Sequence, residues 1–454
     1  MKRLELICAS LILLGAPLWA QMEDNSRTQP VPALAGIDTS QEANDDRMQT
    51  PPVVSGLAYP IALTSQERSN YLRGGLSFTS AYSDNVLGGV GGHPVSDVSY
   101  SVAPVVAMDQ TTSRLHWTAS YAPGFTFYQR TSARNETDQN ASIEFQYRLS
   151  PHVTFSAGDR FQKSSNVFNQ PDLTLGGTVT GGTEGANFSV IAPIADRLSN
   201  TGNAGLTYQF SLHSMIGGSG TFSNLHYPDQ TQVPGLFDSS SQGGLAFYSH
   251  RVAKMHYIGA AYEYQRLMAY PTVGVSETKT HAVLLFYTLY PTAKLSVTLF
   301  GGPQHSDTAL PLLQPDRSWT PAAGASLSWQ GRLNSFALSY SHYIADGGGL
   351  VGAVQMDSAR VSVRQRITKT LTGSVTGEYS QNDILGTLPA GTSNGHSISG
   401  TATLEQRFGQ HVNLQVGYTR LRQDYSNIPV LSLTPDTNRE FVSLSYQFSK
   451  PLGR

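Results

Sequence analysis

The chain alternates apolar and polar residues over long segments from Tyr71 to its C-terminal end. Near that end, in the segment EFVSLSYQFSK, the apolar positions are Val442, Leu444, Tyr446 and Phe448. Serine and glutamine fill the positions between them. A period of two residues is typical of a β-strand whose two faces lie in different environments. The pattern therefore predicts β-strands, whose apolar face meets either a protein core or lipid.

The length of the alternating segments favours lipid. Each covers about 12 residues, whereas strands of soluble proteins average about 5–6 residues. At about 3.3 Å per residue and a tilt of about 40°, such a strand rises roughly 30 Å, which suits a membrane strand. Outside the N-terminus, no stretch reaches the roughly 18 consecutive apolar residues that indicate a membrane helix.

The connections between the segments alternate short and long along the whole chain. The short ones fall at residues 109–112, 150–152, 211–214, 250–254, 291–293, 331–333, 368–370 and 409–411. The long ones fall at residues 84–96, 130–137, 164–197, 226–237, 267–277, 304–317, 345–353, 384–395 and 425–437. Outer-membrane barrels have short periplasmic turns and long outer loops. The fold predicted is therefore all-β, an antiparallel transmembrane β-barrel of about 18 strands with both termini in the periplasm.

A large soluble β protein is the alternative. A propeller would show a repeat of about 40–50 residues with motifs in each blade, and the sequence shows no such repeat. A series of sandwiches would not need connections of alternating length. We therefore interpret the apolar face of the alternating segments as the face toward lipid.

The N-terminal part differs from the rest. Residues 1–20 have a positive start at Lys2 and Arg3, a short apolar run and a small residue, Ala20, before a cleavage point, which predicts a secretory signal. Residues 21–70 are polar, contain proline and lack periodicity, which predicts a disordered periplasmic segment. Residues 71–454 form the predicted barrel. The only cysteine, Cys8, lies in the signal, so the mature chain is predicted to have no thiol.

Composition and charge exclude several function classes. The formal net charge of −2 gives no large basic surface, so no nucleic-acid partner is predicted. Charged residues make up 14% of the chain, below the roughly 25% of soluble domains. Zinc-protease, P-loop and calcium-loop patterns are absent from the sequence, and neither an enzyme activity nor a cofactor or metal site is predicted.

The inward face of the predicted strands is mostly serine, threonine, glycine, asparagine and glutamine. Charged residues on that face are the pore-lining candidates Glu144, Arg148, Arg160, Glu263, Arg360, Arg364, Glu378, Glu405, Arg407 and Arg439. Strong anion selectivity would need a ring of one sign, so this sparse mixture favours small polar or neutral solutes. The six candidates from Arg360 onward either form one lumenal cluster or pair with one another to stabilise the wall.

A barrel of about 18 strands encloses a lumen too wide for side chains alone to fill, so the lumen is either open or plugged. The longest connection, residues 164–197, either folds inward as a constriction or covers the outer mouth. Tyrosines near the strand ends predict aromatic girdles at the membrane interfaces. These tyrosines are Tyr82, Tyr121, Tyr128, Tyr264, Tyr290, Tyr379 and Tyr418.

A membrane-embedded hydrolase is a third possibility. Such enzymes place a histidine with a serine or an acidic residue near the outer rim. The nearest candidates are His342 with Asp346, and His396 with Ser397 or Ser399.

The first segment reads LRGGLSFTSAYSDNVLGG, and its core AYSDNV covers Ala81–Val86. This core resembles the opening hairpin of a group of outer-membrane β-barrel porins, with the pattern Tyr-Asp-x-Asn-Ile/Val. Here Ser83 stands where aspartate is usual, and Asp84 is shifted by one position. Members of that group are often linked to exopolysaccharide or capsule export, so the resemblance implies a role in moving surface polysaccharide. The segment VSLSYQF, ending at Phe448, resembles the signal read by the outer-membrane assembly machinery, but SKPLGR follows it here.

Together these patterns predict a porin-like channel in the bacterial outer membrane. It would pass small polar solutes or surface polysaccharide, with membrane lipid and the barrel assembly machinery as partners. The alternative is a structural or surface-binding barrel that presents long extracellular loops and transports nothing. Single-channel conductance separates the two.

Overall fold

The computed structural model describes residues 70–87, 93–132, 135–166, 194–233, 235–272, 274–292, 294–311, 315–385, 394–425 and 436–452. The predicted signal, almost all of the predicted disordered segment and residues 167–193 of the longest connection lie outside these ranges. No helix in the described ranges is long and apolar enough to cross a bilayer.

The described residues form 18 strands, as the sequence predicted. Their bounds are β1 Tyr71–Ser83, β2 Asp97–Thr111, β3 Leu115–Tyr128, β4 Glu136–Arg148, β5 Val153–Asn166, β6 Ile194–Ser211, β7 Ser214–His226, β8 Asp238–Ala253, β9 His256–Tyr270, β10 Ser276–Thr292, β11 Leu295–Ala309, β12 Asp316–Gln330, β13 Asn334–Asp346, β14 Ala353–Arg366, β15 Leu371–Ile384, β16 Asn394–Phe408, β17 Val412–Tyr425 and β18 Asp436–Pro451.

The strands form one closed antiparallel barrel. Each strand pairs with its neighbours in the sequence, and β1 also pairs with β18 over its whole length, from Tyr71↔Pro451 to Ser83↔Arg439. Closure leaves no full-length edge strand, which removes the usual site for uncontrolled pairing with another chain.

The alternation seen in the sequence becomes the two faces of the wall. Val442, Leu444, Tyr446 and Phe448 are 45–51% exposed on the outside, whereas Ser443 between them is buried on the inside. The same outward apolar surface continues around the barrel. Because the chain places its large apolar side chains outside, the wall is built opposite to that of a soluble protein.

Short and long connections lie at opposite ends of the barrel, which we call the turn end and the loop end. The turn end has connections of two to four residues, such as residues 212–213 between β6 and β7. At the loop end the strands run further than predicted: β9 continues to Tyr270, and β12 begins at Asp316. Outward charges stabilise these extensions, because Arg266 pairs with Glu277, and Arg317 pairs with Asp307 at 3.2 Å. These strand ends carry polar side chains, so the alternation of apolar and polar residues did not reveal them in the sequence.

The AYSDNV motif connects β1 and β18, the two strands of the closing seam, at the loop end. The Asp84 carboxylate accepts hydrogen bonds from the Asn438 backbone N–H at 2.8 Å and from the Asn438 side chain at 2.6 Å. The Asn85 side chain donates to the Asp436 carbonyl at 3.2 Å. The motif therefore joins the end of β1 to the start of β18.

Candidate functional site in the lumen

The strand register places all ten charged candidates on the inward side of the wall. The residues of opposite parity face outward and include exposed apolar side chains such as Ile143, Leu338, Leu404 and Val442. Glu144 is exposed to the lumen, Arg148 and Arg160 are half-buried, and Glu405 and Arg439 are buried. A role for these residues in solute passage stays a prediction.

Five members of the group pair with one another on β14, β15 and β16. Arg360 of β14 binds Glu378 of β15 through Nη2 at 2.9 Å and Nε at 3.1 Å. Glu405 of β16 accepts from Arg407 at 3.3 Å and lies 3.9 Å from Arg364. The interpretation that these charges pair with one another therefore describes the geometry, and they present little net charge to the lumen.

Arg439 lies away from those pairs. Its electrostatic neighbours are Tyr128, Glu136 and Asp138, on the opposite side of the closing seam. Tyr128 donates to Glu136 at 3.2 Å and is buried inside the barrel. The sequence had placed Tyr128 in an interfacial girdle, which is wrong. Tyr290, placed there as well, also faces inward and packs edge-on against Tyr257.

The loop end of β13 and the start of β14 leave the wall and fold into the lumen; we call residues 343–354 the lumenal hairpin. Ile344 has the outward parity of Tyr340, yet it is only 1% exposed and packs against Leu267, an inward residue of β9. On the other side, Val354 packs against Tyr425 of β17. The hairpin thus crosses the lumen between β9 and β17.

The tip of the lumenal hairpin docks on the connection between β7 and β8. The Tyr227 hydroxyl donates to the Gly348 carbonyl at 2.7 Å, and the Phe237 N–H donates to the Gly349 carbonyl at 2.9 Å. The Ser239 hydroxyl donates to the Asp346 carboxylate at 2.8 Å. Leu350 packs into the apolar clusters on both sides of this contact. Burial raises the pKa of Tyr227, which lies in the connection outside the strands, to about 12, so its phenol keeps its proton.

Two glycines shape this tip. Gly348 and Gly349 have positive φ angles of 69° and 82°, a region that side chains with a Cβ rarely adopt. A Cβ on Gly349 would also overlap the Tyr227 ring and would lie 2.7 Å from the Phe237 carbonyl. The docked arrangement therefore requires glycine at position 349.

The lumenal hairpin also meets the charged candidates. The Tyr343 phenol lies within electrostatic range of Arg360 and Glu378 on β14 and β15, and of Glu263 on β9. Candidates from separate parts of the wall are thereby brought to one level of the lumen. The sequence analysis did not identify Tyr343 or Tyr227, because the only connection it considered as a constriction was residues 164–197, which it left as either an inward fold or a cover of the outer mouth.

One part of the inner wall is apolar. The inward residues Ala261, Ala282, Leu284, Phe286, Phe300 and Ala322 form one buried cluster on β9–β12, which we call the inner apolar strip. Phe286 and Phe300 lie over Gly259 and Gly324 of the adjacent strands, where a Cβ would clash with the rings. The signal in the sequence is the run HAVLLFYTLY, residues 281–290, which is apolar on both faces.

The candidate hydrolase pairs do not form among the described residues. His342 Nδ1 lies 2.8 Å from Asp357, and Asp346 instead accepts from Ser239. His396 faces outward, while Ser397 points inward and bonds to Ser380 at 2.7 Å. Among the described residues, no group of three or more His, Cys, Asp or Glu is placed to hold a metal ion.

Comparison with known proteins shows no family for this chain. The sequence matches no family model and no curated protein. Similar solved structures include OccAB4 of Acinetobacter baumannii, with 11% identity, a TM-score of 0.41 and coverage of 85% of this chain and 99% of that one. OccK2 (OpdF) of Pseudomonas aeruginosa has 10% identity, a TM-score of 0.43 and coverage of 84% and 97%.

A third similar structure is the FrpB iron transporter of Neisseria meningitidis, with 10% identity and a TM-score of 0.40. The match covers 79% of this chain and 63% of the transporter, less than two thirds of its length. At such identities and scores, these likenesses carry no information about solute or mechanism.

Proposed function

We propose that the chain is a channel of the bacterial outer membrane for small polar solutes, constricted at its loop end by the lumenal hairpin. The observation that carries the proposal is the inverted wall, with large apolar side chains outside and polar side chains inside. Contiguous apolar surface of this extent is not stable in water, whereas a bilayer accommodates it. The predicted signal supports export, and the turn end then faces the periplasm.

The lumenal charges support a weakly selective passage. Arg360 and Arg407 each have a carboxylate partner within 3.3 Å, so neither sign dominates this part of the lumen. A channel lined in this way distinguishes small solutes by size and hydrogen bonding more than by charge. Glu144, which is exposed, adds one acidic group toward the turn end.

The lumenal hairpin favours small solutes over a polysaccharide. An extended polymer needs a continuous wide path, and the hairpin crosses that path between β9 and β17. Polysaccharide passage, which the AYSDNV resemblance implied, would require the hairpin to undock. The same crossing supports the second candidate, a barrel without transport that presents its loops outside.

Recordings in planar bilayers test the proposal. The wild-type chain would be compared with a variant in which residues 347–352 are shortened to an Asn-Gly turn, which closes a two-residue hairpin. We expect small ohmic steps from the wild type and larger ones from the variant. A heat-dependent shift in gel mobility would show that both barrels are folded. If neither folded barrel then gives a conductance step, the transport proposal is wrong and the structural alternative holds.

Two partners follow from the same proposal. Lipid would contact the outward apolar surface described above. The assembly machinery would bind β18, whose outward Phe448 is exposed near the turn end. Removing the six residues after Phe448 should leave assembly intact if that segment is the signal.

A further inference from the structure

The barrel wall is incomplete between β12 and β13. These strands pair only from Ala323↔His342 to Gln330↔Ser335. Among the residues that the structure describes, residues 316–322 of β12 pair with β11 on one side and with no strand on the other. Within the same ranges, residues 343–346 of β13 pair with β14 alone. At about 3.4 Å per residue, this leaves roughly 20 Å of open strand edge at the loop end.

The sequence of β12 suits an open edge. Gln330 donates its backbone N–H to Lys294 on the β11 side. Because backbone groups alternate direction along a strand, the nitrogen of Pro321 lies on the other side, toward β13. Proline has no N–H to donate and is found where a strand edge is free. Pro321 therefore removes a donor that a complete β12–β13 pairing would use.

Contacts of the lumenal hairpin keep β12 and β13 apart, so the opening is not a frayed strand end. The lumenal hairpin carries the missing part of β13 inward, where Ile344 packs against Leu267. The hydrogen bonds from Tyr227 and Phe237 hold the tip of the hairpin. Full pairing of β12 with β13 would require these contacts to break.

Apolar residues of β12 border this opening on both faces of the strand. Ala322, the last residue before pairing begins, belongs to the inner apolar strip with Phe300 and Leu284. On the outside, Trp319 is 71% exposed and its ring lies 4.9 Å from that of His305. The outward pair Arg317–Asp307 at the same level indicates the headgroup region, where water and headgroups satisfy free backbone groups.

We propose that the opening between β12 and β13 is a lateral entrance for a single-chain amphiphile, such as a fatty acid, between the membrane and the lumen. The hydrocarbon chain would enter beside Ala322, at the end of the inner apolar strip, and the polar head would stay at the level of Arg317. This entrance requires the barrel to lie in a bilayer, as in the proposed function, but it does not require ions to pass along the axis.

Two matched cysteine variants, each carrying a fluorescent label in place of an alanine, test the entrance. Ala322→Cys at the opening and Ala337→Cys in the paired part of the same seam are both inward and buried, with 4% and 7% exposure. Leu404→Cys is the outward control. Each variant would carry a bimane fluorophore in liposomes containing doxyl-stearate, a fatty acid that quenches fluorescence on contact. Thr320→Cys, also inward at the opening, serves if the Ala322 variant does not fold.

We expect the label at position 322 to lose fluorescence nearly as strongly as that at position 404, and the label at position 337 to lose little. Equal quenching at positions 322 and 337 would overturn the lateral entrance. Weak quenching at position 404 would instead overturn the membrane proposal itself. If the same doxyl group attached to a phospholipid quenches position 322 as strongly as doxyl-stearate does, the occupant is a lipid chain and the single-chain amphiphile is wrong.

Discussion

Docking of the lumenal hairpin makes a quantitative prediction for Gly349→Ala. Gly349 has a φ of 82°, where an alanine costs about 1–2 kcal/mol. The added Cβ would also displace the Tyr227 ring, whose hydroxyl donates to Gly348. Loss of that hydrogen bond costs about 1 kcal/mol, and up to about 3 kcal/mol if the carbonyl stays buried without a partner.

Together these effects weaken docking by about 2–5 kcal/mol, because strain and clash are both relieved when the tip leaves the lumen. At about 1.4 kcal/mol per factor of ten, the ratio of docked to undocked hairpin falls by about 30- to 4,000-fold. In planar bilayers we expect the fraction of time spent in the larger conductance state to rise accordingly.

Gly409→Ala is the matched control. Gly409 has a similar φ of 68° but lies at the turn end, and a Cβ there would have no neighbour within 4 Å. It carries the same backbone strain without touching the hairpin. If Gly349→Ala and Gly409→Ala give the same conductance distribution, the hairpin does not control the passage, and the reasoning from its docking fails.

Three further predictions follow from the lumen and the seam. The pKa of Tyr227 is about 12 when the lumenal hairpin is docked and near its ordinary 10.0 when the hairpin is undocked, so docking should weaken as pH rises from about 10 to 12. Over that pH range, conductance should increase in the wild type and stay level in Tyr227→Phe. Glu405→Gln removes a negative charge beside Arg364 and Arg407, so the reversal potential in a salt gradient should shift toward anions, whereas an unchanged potential would contradict the proposed lumenal position. Asp84→Ala removes two hydrogen bonds to Asn438 at the closing seam. In gels, this variant should therefore unfold at a lower temperature than the Glu144→Gln variant, whose substitution lies outside the seam.

The alternating pattern predicted the wall well because most strands that stay in the wall obey it, although β10 is apolar on both faces. The side-chain period of two fixed the inward parity of all ten charged candidates, and the connection lengths gave the strand count. The same rule failed at Ile344, because parity gives a direction only while the strand lies in the wall. Nothing in the alternation of β13 shows where it leaves.

The sequence suggested the longest connection as a possible constriction, whereas the segment that folds inward in the structure includes the shorter connection at residues 345–353. Length suggested residues 164–197, most of which lie outside the described residues. The hairpin tip has only the run Gly347–Gly349 as a local signal, and its partners, Tyr227 and Phe237, are more than 100 residues away. Such contacts depend on closure of the whole barrel, so a single sequence does not reveal them.

The interrupted seam between β12 and β13 gives the two ends of the barrel different mechanical character. At the turn end, every strand is bonded to both neighbours, so the circumference is a closed hoop whose size cannot change without breaking a whole ladder. At the loop end the hoop is cut beside residues 316–322. In the described residues, no backbone ladder between β12 and β13 fixes the circumference of that rim, whereas the opposite rim has a ladder between every pair of neighbouring strands.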